Sequence, residues 1–345
     1  MVSLWILIIL TILVVIIGSR VAGELRFVRI QRDRLKAYYL AKAGINKSIS
    51  LLEEDLSDKE TKEYDSIFKC GVKLKNREPE DILKELKDIF EEKWNKGTAF
   101  RIGYTTYEEE KELFRYGMSD KECKLYINRT DDIGKRQLEE LFLLKKIEEE
   151  AKNLSNFIVD WVDEDKEKSD GSPEESIFKN EELRSIEELL VILEYFYQKK
   201  GEEDYRKRAE DVFKKIKDLL TTYGDEKGKI NINTASEDVL LVLANAVAEG
   251  QRERDCVKAV VGYIIEEREK KGYFKTIGEL RTPDIVSGTS ADENLFNRLK
   301  SNFTVTSSNF RIEAEGIVNN QPMKKIITVV DRSSSPFKIL YWHEI

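Results

Sequence analysis

The sequence predicts an α+β protein in which one long N-terminal helix lies on an antiparallel sheet and a large, mainly helical domain is inserted between the strands. Three observations carry this. An apolar run at the N-terminus passes without proline or a turn cluster into a charged amphipathic stretch that reaches Leu56. Residues 301–345 alternate apolar and polar side chains, the period of half-buried strands. Between them, residues 130–300 read almost entirely helical.

The first element is residues 1–17, MVSLWILIILTILVVII, a segment without a charged side chain. A membrane-spanning helix uses about 20 apolar residues, with a lower limit near 17. The run reads as a retained anchor rather than a cleaved signal. Signal cores follow positive charge and precede a small-residue cleavage site, whereas Arg20 interrupts Ser19-Arg20-Val21-Ala22-Gly23. Arg20, Arg26, Arg29, Arg32 and Arg34 all follow the run. Taken alone, the positive-inside rule then puts the body in the cytoplasm; a basic leader ahead of Met1 reverses that orientation.

Residues 18–56 continue the helix. Val21, Leu25, Val28, Leu35, Tyr39, Ile45, Ile49, Leu52 and Leu56 recur mostly three, four or seven apart and form an apolar stripe that must pack on something. Residues 57–129 form a connector leading to the first strands. Its helix-prone part holds one short amphipathic helix through Ile82, Leu83, Leu86, Ile89 and Phe90, and strands are expected at 99–107 and 124–128. Residues 130–300 contain an internal echo. RYGMSDKECKLYINRTDDIGKRQLEELF with LSNFIVDWVDEDK parallels TYGDEKGKININTASEDVLLVLA with VKAVVGYIIEEREKKGYF. Each is a Tyr-Gly turn, a short extended segment, a helix and a second amphipathic helix, so two similar helical units of helix-hairpin-helix or SAM-like type are expected, joined by helices over 181–222. Residues 301–345 supply strands around a turn at Asn319-Asn320-Gln321-Pro322, ending in FKILYWHEI. A hairpin alone is unstable in water, and the stripe of the first helix is the available cover.

Composition narrows the function. Of 345 residues, 66 are acidic and 58 basic, for a net charge of −8. Nucleic-acid binding needs a basic face, so it is not the expected role. Cys70, Cys123 and Cys256 are scattered, with no CxxC pair, and read as buried free thiols, with one pairing open in an oxidising compartment. His343 is the only histidine. It lies near the C-terminus and leaves no base for a serine or cysteine nucleophile elsewhere; carboxylate pairs are abundant and read mostly as solvated faces, with Asp160 and Asp163 on one loop the pair an enzyme would use. The chain is read as a non-enzyme.

The apolar start leading into QRDRLKAYYLAKAGI, then FIVDWVDEDKE, GKININTASEDVL, GYFKTIGEL and the FTVTSSNFRIEAEGIV to ILYW ending resemble, in that order, general secretion pathway protein K, a minor pseudopilin of type II secretion. The resemblance covers most of the chain. It implies a type IV pilin-like fold with a helical insertion, a single-pass inner-membrane anchor, a periplasmic body, and a place at the pseudopilus tip with other minor pseudopilins and the secretion machinery. It also implies a leader cut by a prepilin peptidase, so Met1 is expected to be a truncated or processed start. No acid precedes Glu24; the glutamate of major pilins is absent, as the K type implies for a subunit that receives none above it. Leu35, Tyr39, Ile45 and Ile49 are the expected partner-binding residues.

Two other motifs compete. Lys229-Ile230-Asn231-Ile232-Asn233-Thr234-Ala235-Ser236, with Gly272-Tyr273-Phe274 further on, also resembles the helix-hairpin-helix of DNA-uptake receptors, which would make the chain a membrane-tethered DNA receptor. Its hairpin, ANAVAEGQRERD, lacks the paired glycines that let backbone amides reach phosphates. Asn231, Asn233 and Thr234 are read instead as caps for the helix starting near Ser236. Gly224 to Ile230 fails as a phosphate loop, being one residue short and carrying Ile230 where a hydroxyl is needed. Finally, Asp160, Asp163, Asp165, Asp170 and Glu174 crowd one loop with Gly171. Calcium takes six to eight oxygens on flexible backbone, so this loop is either a calcium site or a solvated acidic turn. Trp161 is expected to anchor it.

Overall fold

The computed structural model describes residues 2–58, 62–65, 79–108, 111–163, 180–225, 227–280 and 290–345. Helix α1 (Val2–Ser57) is continuous over 56 residues, roughly 84 Å at 1.5 Å per residue. Its first contact with the body is at Asp33, which accepts a hydrogen bond from Asn319 (3.2 Å). The turns before that point stand clear, with Leu4 to Ile30 exposed. From Ala37 onward Leu40, Ala41, Ile45, Ser48 and Leu52 are buried, one helical face at three- and four-residue spacing.

That face lies on an antiparallel sheet. β1 (Glu91–Asn95), β2 (Thr98–Glu108), β9 (Asn309–Val318), β10 (Gln321–Asp331) and β11 (Lys338–Glu344) follow in that spatial order. β3 (Lys111–Tyr116) pairs with the far half of β2, and β4 (Ser119–Asp120) with β9. Strands from both sides of the helical region therefore join in one sheet, through the β2–β9 pairing from Thr98↔Val318 to Ile102↔Ala314. The β9–β10 hairpin turns at Asn319 and Asn320, both at positive φ (55° and 61°), the backbone a two-residue hairpin requires. Helix and sheet approach closely at Gly316. A Cβ there would sit 1.8 Å from the carbonyl oxygen of Ala37.

The connector differs from the sequence expectation. Its helix is present as α2 (Pro79–Phe90), but β1 and β3 are strands that the sequence reading did not place. Both are charged (EEKWN and KELFRY). They sit at the margins of the sheet, where one side meets water and no apolar alternation is needed. The strand expected over 124–128 is reduced to two residues, β5 (Leu125–Tyr126). Cys123 and Cys256 are free and half-buried; Cys70 lies outside the described residues.

The helical region holds α3 (Asp132–Leu144), α4 (Ala151–Val162), α5 (Glu188–Lys199), α6 (Tyr205–Ile216), α7 (Glu237–Val247), α8 (Gln251–Lys271) and α9 (Ser290–Ser301). The internal echo is physical. The first unit opens on β5 and closes on β6 (Leu220–Thr221), which pair in parallel; the second opens on β7 (Ile230–Asn231) and closes on β8 (Phe303–Thr304), again in parallel. In each, an asparagine just past the opening strand clamps a distant backbone with both side-chain atoms. Asn128 donates to the carbonyl of Leu183 and accepts its amide; Asn233 does the same with Phe274. Asp131 then caps α3 through the Gly134 amide, and Ser236 caps α7 through the Val239 amide. The helices share one apolar core, separate from the core between α1 and the sheet.

Candidate assembly surface

Most of the exposed large apolar side chains among the described residues lie on α1. Leu4 to Ile17 are exposed, and beyond them Val21, Leu25, Phe27, Val28, Ile30, Leu35 and Tyr39 are exposed as well. The helix is long and apolar enough to cross a membrane, and a continuous patch of this size marks a lipid or protein contact. Leu35 and Tyr39 belong to it, at 57% and 61% exposure. Ile45 and Ile49 do not. Ile45 is 1% exposed in the core against the sheet, and Ile49 packs on that core. The stripe expected to meet partners therefore divides: its later part covers the chain's own β9 and β10, because those strands are otherwise bare on that face. A second apolar surface, invisible to helical periodicity, is the sheet margin at β11, where Ile339, Leu340 and Tyr341 are exposed.

Between the two apolar cores lies a buried polar junction that sequence reasoning missed. Arg332, just past β10, donates to Asp55 of α1 (2.8 Å), to Asp65 (2.7 Å) and to the carbonyl of Ser307 (2.7 Å). The three charged side chains are 4%, 6% and 1% exposed. Ser307 passes the network on. Its amide donates to Asp65, and its hydroxyl to Asp120 of β4. Asp120 also accepts from Asn231 (3.1 Å), Thr234 (2.6 Å) and the Glu122 amide (2.7 Å). Asn231 and Thr234 therefore tie the helical insertion to the sheet and do not cap α7, which Ser236 does. The residues come from six separated places in the sequence, so no local spacing could have revealed them.

Burial pushes the Asp120 carboxyl up, and the charge of Asp65 adds to the shift against the pull of Thr234 and Ser307. Burial also raises Glu122 to about 7 from 4.5; the Asp120 charge adds, while the Ser308 amide opposes. A carboxyl with a raised folded-state value binds more protons folded than unfolded, so its contribution to stability falls as pH rises from about 4.5 to about 7. Relative to a Glu122→Gln variant, the wild type should lose roughly 1 to 3 kcal/mol between pH 5 and pH 8. Denaturant unfolding at both pH values measures this; an identical pH response of the two proteins would remove Glu122 from the account.

The acidic loop is only partly in view. Asp160 is buried near the end of α4, and Asp163 follows as its C-cap. Asp165, Asp170 and Glu174 lie outside the described residues. The described residues supply two of the proposed carboxylates, and no group of three metal-binding side chains comes together among the described residues. The two ends of the loop are joined by the Asn180 amide on the Trp161 carbonyl (3.1 Å). The Trp161 ring packs on the helical core, 6.1 Å from Phe157 and 6.0 Å from Tyr195.

At the hairpin between α7 and α8, backbone and charged side chains are engaged within the chain. The Glu249 amide donates to the Glu253 carboxylate, which also receives Arg298. Arg254 is paired with Glu140 (2.8 Å).

No family model matches the chain, and no curated protein matches it. Among solved structures it is similar to a chain of the GspK-GspI-GspJ complex of the type 2 secretion system from enterotoxigenic Escherichia coli, at 14% identity and a TM-score of 0.62. The likeness spans 92% of this chain and 99% of that one, so the helical insertion and the sheet are matched together. The chain therefore has the fold of a component of the type II secretion GspK-GspI-GspJ complex.

Proposed function

We propose that the protein is a minor pseudopilin of type II secretion, a non-enzymatic assembly subunit that binds other minor pseudopilins. Residues 1–17 anchor it in the inner membrane after a prepilin peptidase removes a leader, with the body in the periplasm. During assembly α1 leaves lipid and packs among the helices of its partners at the pseudopilus tip. The observation that carries this reading is the outer face of α1. Beyond Ile17 it keeps an exposed apolar stripe through Val21, Leu25, Val28, Leu35 and Tyr39, interrupted by Arg32 and flanked by charged side chains, well beyond the length that lipid requires. The fold shared with a chain of the GspK-GspI-GspJ complex supports the choice of partners.

The test is co-purification of the full chain, in detergent, with its cognate minor pseudopilins. Leu35→Glu together with Tyr39→Glu should weaken the complex at least about tenfold, since buried aromatic anchors dominate interfaces. Circular dichroism and melting temperature should be unchanged, because both side chains face solvent. Ile45→Glu should instead unfold the body. Undiminished complex formation by the Leu35/Tyr39 variant would defeat the proposal.

A further inference from the structure

Where the two helical units meet, a recess of about 450 Å3 opens beside the start of α3. Arg129 forms its floor, and Lys227, Lys229 and Ser301 its walls. The arginine is held rigidly. Its guanidinium donates to Asp131 through Nε (2.7 Å) and Nη2 (2.9 Å), and to Asn302 through Nη1 (3.3 Å). The side chain is 7% exposed. Backbone presses on it from both directions. A Cβ on Gly134 would meet the Arg129 carbonyl oxygen at 2.0 Å, and one on Gly228 would meet its Cδ at 2.7 Å. Gly228 has φ +60°, so the turn that carries Lys227 and Lys229 is shaped by the arginine it covers.

A guanidinium has five N–H donors, and three are used, which leaves two for a ligand. Neither lysine has a carboxylate partner among the described residues. Among the described residues that line the recess, three cationic side chains thus meet one carboxylate, Asp131, in a chain of net charge −8. Cations gathered in a concave site repel one another unless an anion enters, and the same geometry focuses their field on one. The recess is larger than a bare ion needs and matches the size of small-molecule sites.

We propose that this recess binds a phosphate group carried by a small molecule or a lipid headgroup, with Arg129 as the fixed donor and Lys227 and Lys229 as the closing charges. The feature is independent of the assembly surface on α1. The test uses the full chain in detergent with two probes, at ionic strength matched by sodium chloride to remove general screening. One probe is inorganic phosphate, read as a rise in melting temperature. The other is vesicles containing phosphatidylglycerol, read as co-sedimentation against phosphatidylcholine vesicles. Lys227→Ala with Lys229→Ala keeps the arginine and its packing. It should weaken whichever probe binds by at least about tenfold, since each lost charge-assisted contact is worth a large part of that factor. Phosphate stabilisation lost in the variant supports a soluble ligand, and vesicle binding lost in it supports a headgroup. Failure of both probes with the wild type, or equal binding by the variant, overturns the proposal.

Discussion

Arg332→Ala is expected to destabilise the protein by about 3 to 5 kcal/mol, the cost of leaving a buried charge without its partner. Here two carboxylates lose it at once. Asp55 and Asp65 are 6% and 1% exposed and both bond to the guanidinium. The Ser307 carbonyl loses the Nε–H, and the ring of Phe310 loses the cation that stacks over it at 4.9 Å. Arg332→Lys should recover little, because a single ammonium cannot reach three acceptors in a fork. Arg332→Met combined with Asp55→Asn and Asp65→Asn should recover much of the loss, since removing a whole buried ion cluster costs far less than breaking it. Denaturant unfolding of the full chain in detergent measures all three. A loss below about 1 kcal/mol for Arg332→Ala would mean that the junction contributes little net energy.

Gly316→Ala is expected to cost about 3 kcal/mol or more, at the upper end for overpacking. The clash is with backbone, since the added Cβ would lie 1.8 Å from the Ala37 carbonyl oxygen and 2.6 Å from its carbon. Trimming Ala37 to glycine therefore cannot rescue it; α1 must lift off β9. Gly262→Ala in α8 is the control. Nothing lies within 4 Å of its Cβ, and alanine in a helix interior should add up to about 1 kcal/mol. Melting temperatures that move alike for the two variants would show that close approach at Gly316 does not set the helix–sheet distance. Because that distance positions the exposed face of α1, the Gly316 variant should also weaken partner binding.

Much of the architecture was legible along the chain because it rests on periodicity. The α1 stripe, the alternation after Phe303 and the Asn319-Asn320 turn each express a local rule. The echo was visible as weakly similar strings, and its meaning came from Asn128 and Asn233, which make equivalent clamps at equivalent points. Where expectation and structure part, the cause is tertiary. EEKWN and KELFRY are strands only because β2 offers them a partner. Asn231 and Thr234 turn to Asp120 and not to the helix they precede, because a buried carboxylate needs donors more than an exposed helix end does.

The candidate surfaces divide in the same way. That one long helix would carry an apolar run, and that a sheet would need it as cover, followed from the order of side chains alone, since burial of an amphipathic face is a property of the segment. Which side of that helix faces outward depended on where the sheet lies against it. Leu35 and Ile45 are equally apolar, and only the side of α1 that β9 and β10 approach decides that Ile45 is buried while Leu35 and Tyr39 stay exposed beside the buried Ala37 and Leu40. The same holds for Arg332, Asp55, Asp65 and Asp120, and for Arg129 with Lys227 and Lys229. Their partners are distant in sequence, and an ion cluster or a charged recess exists only after the chain has paid the entropy of bringing those segments together.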